Sequence, residues 1–150
     1  FLKYSGVNLS EVSGRSEANF TRIDLPRKMI DDKYKIVSIN PNKSPVSALL
    51  SSSTTRGRDI VEMDYKYTEI QRESFATYPI IDTNKAIAKL KAGNYWPAND
   101  VSSENVIIRR ISLAYFEPAT LTNFMQPIFV FEGDGGFVAY VEAVTDEFTK

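Results

Sequence analysis

Apolar and polar residues alternate with a period of two over 58–70. Val61, Met63, Tyr65 and Tyr67 fall on one side, and Glu62, Asp64, Lys66 and Thr68 on the other. That spacing predicts a half-buried antiparallel strand. Upstream, 18–25, 34–40 and 45–51 read as shorter strands, the first closed by Pro26 and the second by the turn Pro41-Asn42. The stretch over 1–17 is weakly patterned. Phe1-Leu2-Lys3-Tyr4 reads as the end of a helix with Gly6 near its stop, and the Ser/Glu/Gly-rich residues after it as a loop. The small polar run from Ser51 to Gly57 reads as a mobile loop.

The period then changes. Asp82-Thr83 supplies N-cap chemistry, and Ala86, Ile87 and Leu90 follow at helical spacing. Lys89 and Lys91 lie in the last turn and Gly93 stands at the exit. A short helix over about 83–92 is predicted, which needs a sheet to pack on. Beyond it, Glu104 to Glu117 is apolar on both sides, as an interior strand would be. Met125 to Glu132 and Gly136 to Val144 flank Gly133-Asp134-Gly135, a hairpin signal. Phe137, Ala139, Val141 and Ala143 form one apolar face, and Pro127 belongs near a strand start or at an edge. Trp96 is expected to close the helix–sheet layer.

These elements predict an α+β fold, with antiparallel β-sheet and one short helix across a face. The expectation is a single domain over 1–150. Leu2-Lys3-Tyr4-Ser5-Gly6 and Leu90-Lys91-Ala92-Gly93 suggest two helix-plus-sheet half-repeats, 1–75 and 76–150.

Composition narrows the chemistry. The 150 residues include no cysteine and no histidine. Disulfides, thiolate or imidazole metal ligands, and Ser-His-Asp or Cys-His machinery are thereby excluded. A net charge of −1 argues against nucleic acid as a partner. No phosphate-binding glycine loop is present. After Arg110 no Lys or Arg occurs before Lys150, while Glu117, Glu132, Asp134, Glu142, Asp146 and Glu147 do. That acidic stretch reads as a solvated edge or a patch for a basic partner. No metal site or cofactor is expected, the turn Glu132–Gly136 being a hairpin before it is an ion loop. Arg56 and Arg58 read as solvated charge. In Arg109-Arg110, one of two successive strand residues must face inward, or else the arginine sits at the sheet rim, snorkelling to water or paired with a nearby Glu. Glu104, Glu117, Glu132 and Glu142 are the carboxylates from which a hydrolase pair would have to come. The candidate interaction residues are Arg109, Arg110, Tyr115 and Trp96.

Several segments form an ordered pattern: Tyr78-Pro79-Ile80, Leu90-Lys91-Ala92-Gly93, Arg109 to Glu117, Gln126 to Gly133 and Phe137 to Val141. Over about 78–144 it resembles the C-terminal region of extracytoplasmic bacterial proteins of the YycI type and, more loosely, PepSY modules. The resemblance implies a piece of a longer secreted or membrane-anchored protein, lying outside the cytoplasmic membrane. It implies a non-enzymatic interaction or regulatory role toward a protein partner, itself membrane-associated in one version. Any contact with the membrane would come through an anchor absent from this chain. Two alternatives stand beside it. One is a small-ligand binder with a cystatin- or NTF2-like cavity between helix and sheet. The other is a carboxylate-dependent hydrolase.

Overall fold

A computed structural model describes residues 7, 10–17, 19–41, 43–51, 59–101, 105–120 and 122–148. The chain folds as α+β, with two sheets and one α-helix among the described residues. Its contacts divide into two compact units, Phe1–Asp32 with Asn42–Gln71, and Lys33–Pro41 with Arg72–Lys150. The expected helix end at 1–4 and the loop 52–57 lie outside the described residues.

The first unit holds strands β1 (Ser13–Glu17) and β2 (Phe20–Leu25). Two further strands, which we number β4 (Val46–Ser51) and β5 (Ile60–Tyr65), complete it. The sheet is antiparallel throughout, in the order β1-β2-β4-β5. β1 corrects the reading of that stretch as a loop. It is an edge strand whose described side chains are exposed, so no burial drives alternation and only its ladder with β2 identifies it. The core of the unit is small: Val7, Leu25 and Val46, with Ile23 and Tyr67 packed against them. Arg27 is buried beside it. Its guanidinium lies 4.3 Å from the Tyr67 ring centroid and donates to the Thr68 carbonyl at 2.8 Å.

The alternation around β5 marks a strand, but the strand is not half-buried. All six of its residues are exposed. The apolar cluster sits at the end of the sheet near Val46 and Leu25, and of the four aligned apolar side chains only Tyr67, beyond the strand, reaches it. A bulge sets Leu50 opposite Ile60 and leaves Val61 as the extra residue.

The second unit contains β3 (Lys35–Ser38), helix α1 (Thr83–Lys91) and β6 (Trp96–Pro97). It continues with β7 (Ile108–Glu117), β8 (Gln126–Gly133) and β9 (Val138–Glu142). The order is β3-β7-β8-β9-β6, with β3 parallel to β7 and the other pairs antiparallel. The Asp82 carboxylate caps α1 by accepting the Lys85 N–H at 2.9 Å. Its exit is a Schellman turn. Asn94 N–H reaches the Lys89 carbonyl and Gly93 N–H the Leu90 carbonyl, with Gly93 at φ +81°.

This sheet is apolar on both faces. Toward α1 it presents Phe129, Phe131, Phe137, Ala139, Val141 and Ala143, meeting Ala86, Ile87 and Leu90. The other face buries Ala98, Ala114, Ile128, Val130 and Tyr140. The β8–β9 turn carries its positive φ at Gly135 and Gly136. Gly133 serves a different need: a Cβ there would stand 2.5 Å from Val106 Cγ1. Pro127 is the second residue of β8, and its carbonyl accepts the Ala143 N–H at 3.1 Å.

Candidate functional site

Arg109 and Arg110 do not divide between the two sides of β7. A bulge pairs Ile108 with Gly133 and Arg110 with Glu132, leaving Arg109 as the extra residue, and both guanidiniums stay in water. Arg109 grips the Asp134 carboxylate through Nε and Nη2, each at 2.7 Å. That bidentate bond and its charge hold Asp134 below the usual carboxylate range and raise Arg109. Arg110 Nε lies 2.6 Å from Glu132. Two carboxylates of the Glu132–Gly136 turn therefore face arginines. Asp146 is held likewise by Lys89 at 2.6 Å. The acidic stretch after Arg110 is thus partly neutralised by cations that precede it in sequence.

Trp96 is a correction. It pairs with Tyr140, which lies on the face away from α1, and remains 54% exposed at the sheet edge. Tyr95 closes the helix–sheet layer instead, edge-on to Phe137 with centroids 6.3 Å apart. Side chains alternate along an extended segment, so moving by one residue changes the face. Tyr115 lies between β3 and β8, opposite Ile36 and Pro127, with its ring edge-on to Tyr34 at 6.0 Å. The four candidates therefore do not form one site. The arginines share the hairpin end, Trp96 stands at the β6 edge, and Tyr115 lies toward β3.

An open groove of about 580 Å³ runs between α1 and the sheet. Ile87, Leu90, Tyr95, Ile111 and Phe131 give it apolar walls, and Lys91 and both arginines also line it. The groove lies where the small-ligand alternative set its cavity, between helix and sheet; periodicity itself carries no sign of it, because incomplete filling depends on side-chain shape across non-local elements.

The carboxylates do not converge as a hydrolase pair would need. Glu132 and Glu142 share a face, but Glu142 stands opposite Ile128, four residues along β8 from Glu132. Strand rise makes that about 13 Å. Glu117 is of opposite parity to Ala114 on β7 and belongs to the other face. Glu104 and Arg56 and Arg58 lie outside the described residues. Among the described residues no group of three or more acidic side chains could hold a metal ion, and no helix is long and apolar enough to cross a membrane.

On the face away from α1, Tyr140 is 2% exposed. Its hydroxyl donates to the Ser38 carbonyl at 3.1 Å. Burial, with a smaller push from Glu132, moves its pKa up to about 12. It acts as a structural donor, fixed against ionisation through the neutral range.

In the first unit the notable surface is β5. Val61 is 55% and Met63 51% exposed, and no described strand pairs with its outer edge. The opposite edge of the same sheet, β1, is Ser-Gly-Arg-Ser-Glu. Natural sheets blunt their edges with polar and charged residues; β1 is polar or charged at every position but Gly14, whereas β5 sets Glu62 and Asp64 beside exposed Ile60, Val61 and Met63.

No family model matches this chain, and neither does any curated protein or solved structure.

Proposed function

We propose that the chain is a non-enzymatic, extracytoplasmic interaction module that engages a protein partner in a regulatory role. The observation that carries this reading is the exposed apolar edge strand Ile60–Tyr65. An exposed strand of this kind is an aggregation hazard unless something covers it, which gives a partner a physical reason to exist. The YycI- and PepSY-like pattern over 78–144 supports the location and the regulatory role.

The absence of cysteine provides a clean test, since Met63→Cys and Ser13→Cys are each unique handles. A photo-cross-linker is attached at either position and irradiated in envelopes of the source organism. A single adduct of defined mass from position 63, absent from position 13, supports the proposal. Equal labelling from both positions, or none, refutes it.

A second reading is favoured by the groove beneath α1. Its volume and apolar lining suit a small apolar ligand with an anionic end directed at Lys91. Titration with a long-chain fatty acid, read by tyrosine and tryptophan fluorescence, tests it. Saturable binding that Ile111→Trp abolishes would support a ligand site; no saturation would remove it.

A further inference from the structure

We infer that the outer edge of β5 accepts an extended segment by strand addition, and that the incoming strand alternates cationic with apolar side chains. This deepens the interaction reading and rests on it.

Lys66 N–H donates to the Pro45 carbonyl at 2.8 Å, so residues 66 and 45 form a hydrogen-bonded pair. Such pairs alternate along an antiparallel ladder. Asp64 and Glu62 therefore direct their backbone groups at β4, through Ser47 and Leu49, and Met63 directs its N–H and carbonyl outward. Beyond the bulge the ladder resumes with Ser51 N–H on the Asp59 carbonyl at 2.9 Å. The inner side of β5 is thus committed, while its outer side has no described neighbour.

The side chains define the partner. Glu62 and Asp64 stand two apart on the polar face of the strand, and no described ion pair reaches either. The nearest arginine across the sheet, Arg22, is engaged by Asp24 at 3.2 Å and by Ser47 at 2.9 Å. A strand added here meets two carboxylates on one face, and Met63 on the other. Opposite charges directly across a ladder are favourable and like charges are not.

The same rule argues against a second copy. Two antiparallel self-pairings overlap most of Ile60–Tyr65 and keep the apolar side chains together. One sets Glu62 against Asp64 of the other chain, and the other sets Glu62 against its own counterpart. Both bring carboxylates face to face, whereas a Lys- or Arg-bearing strand removes the conflict.

The test uses the full chain and three fluorescent eight-residue peptides: alternating Lys–Val, alternating Glu–Val, and Lys–Val with alternate backbone nitrogens methylated. The expected result is binding of Lys–Val about tenfold or more tighter than Glu–Val, with affinity falling as salt rises. Glu62→Lys/Asp64→Lys should reverse the preference, and Ser13→Lys on β1 should not. Methylation should weaken binding about tenfold or more, because it removes the donors that pair with the Met63 carbonyl. Circular dichroism checks that the double variant folds, and Met63→Arg, which should abolish Lys–Val binding, is an independent second variant. Equal affinity for the two charged peptides overturns the inference, as does undiminished binding of the methylated one. So does concentration-dependent dimerisation in sedimentation that Met63→Arg abolishes, which would assign the edge to a second copy. A cross-linked adduct at position 63 together with failure of all three peptides would sink strand addition and leave the interaction reading standing.

Discussion

The two sheets use their apolar residues differently. In the five-stranded sheet both faces are buried, and β7, β8 and β9 lie inside the order, flanked on each side. In the four-stranded sheet, buried Leu25 and Val46 cluster with Val7 at one end, and the strand with the cleanest alternation lies at the edge in solvent. An alternating pattern therefore reports that a strand has two unlike sides. It does not report that anything covers the apolar one. Coverage depends on position in the sheet order, which is a non-local property.

That contrast can be broken most forcefully at Phe131, fully buried between α1 and the sheet. Phe131→Ala should cost about 3–5 kcal/mol in urea unfolding, whereas Met63→Ala should stay within about 0.5 kcal/mol. Comparable losses at the two positions would show that β5 is covered in solution. Next in size is Gly133→Ala, which drives a methyl into Val106 and should cost about 1–3 kcal/mol. Val106→Ala should recover part of that loss, a coupling that a double-mutant cycle reads directly.

The alkaline limb probes the face of the same sheet away from α1. The unfolded tyrosine ionises near pH 10 and the folded Tyr140 near 12. The folded state therefore holds its proton longer. Its stabilising contribution is complete below about pH 10 and is lost as pH rises toward 12, about 2–3 kcal/mol in all. Tyr140→Phe should flatten this dependence in unfolding titrations between pH 9 and 12. The smallest expected effect is at the helix cap. Asp82→Ala removes the acceptor for Lys85 N–H and should cost about 1 kcal/mol, read as a lowered thermal midpoint.

The legible parts of the fold were those encoded locally. Asp82, the 3–4 spacing of Ala86, Ile87 and Leu90, and Gly93 together specify a helix, because a cap, an apolar stripe and a left-handed exit are near-neighbour properties. The apolar face from Phe137 to Ala143 and the glycine turn before it were legible for the same reason. β1 was not, since an edge strand with polar side chains owes its existence to the ladder with β2. The four candidate interaction residues were less legible than the fold. An extra residue in β7 keeps both Arg109 and Arg110 in water, and Arg110 meets Glu132 as a rim arginine paired with a nearby Glu would, while the expected place of Trp96 belongs to Tyr95.

By itself, the sequence determined the α+β class, the helix, the main strands and the exclusion of thiol and imidazole chemistry. These follow from periodicity, turn residues and composition, all readable within a few positions. Only the tertiary structure decided that β3 lies parallel to β7 within the second unit, that acidic turn residues meet Arg109 and Arg110, and that β5 ends its sheet with no described strand beyond it. Each depends on which distant segments become neighbours, and an extra residue at a bulge or a place at the end of a sheet leaves no local trace in the chain.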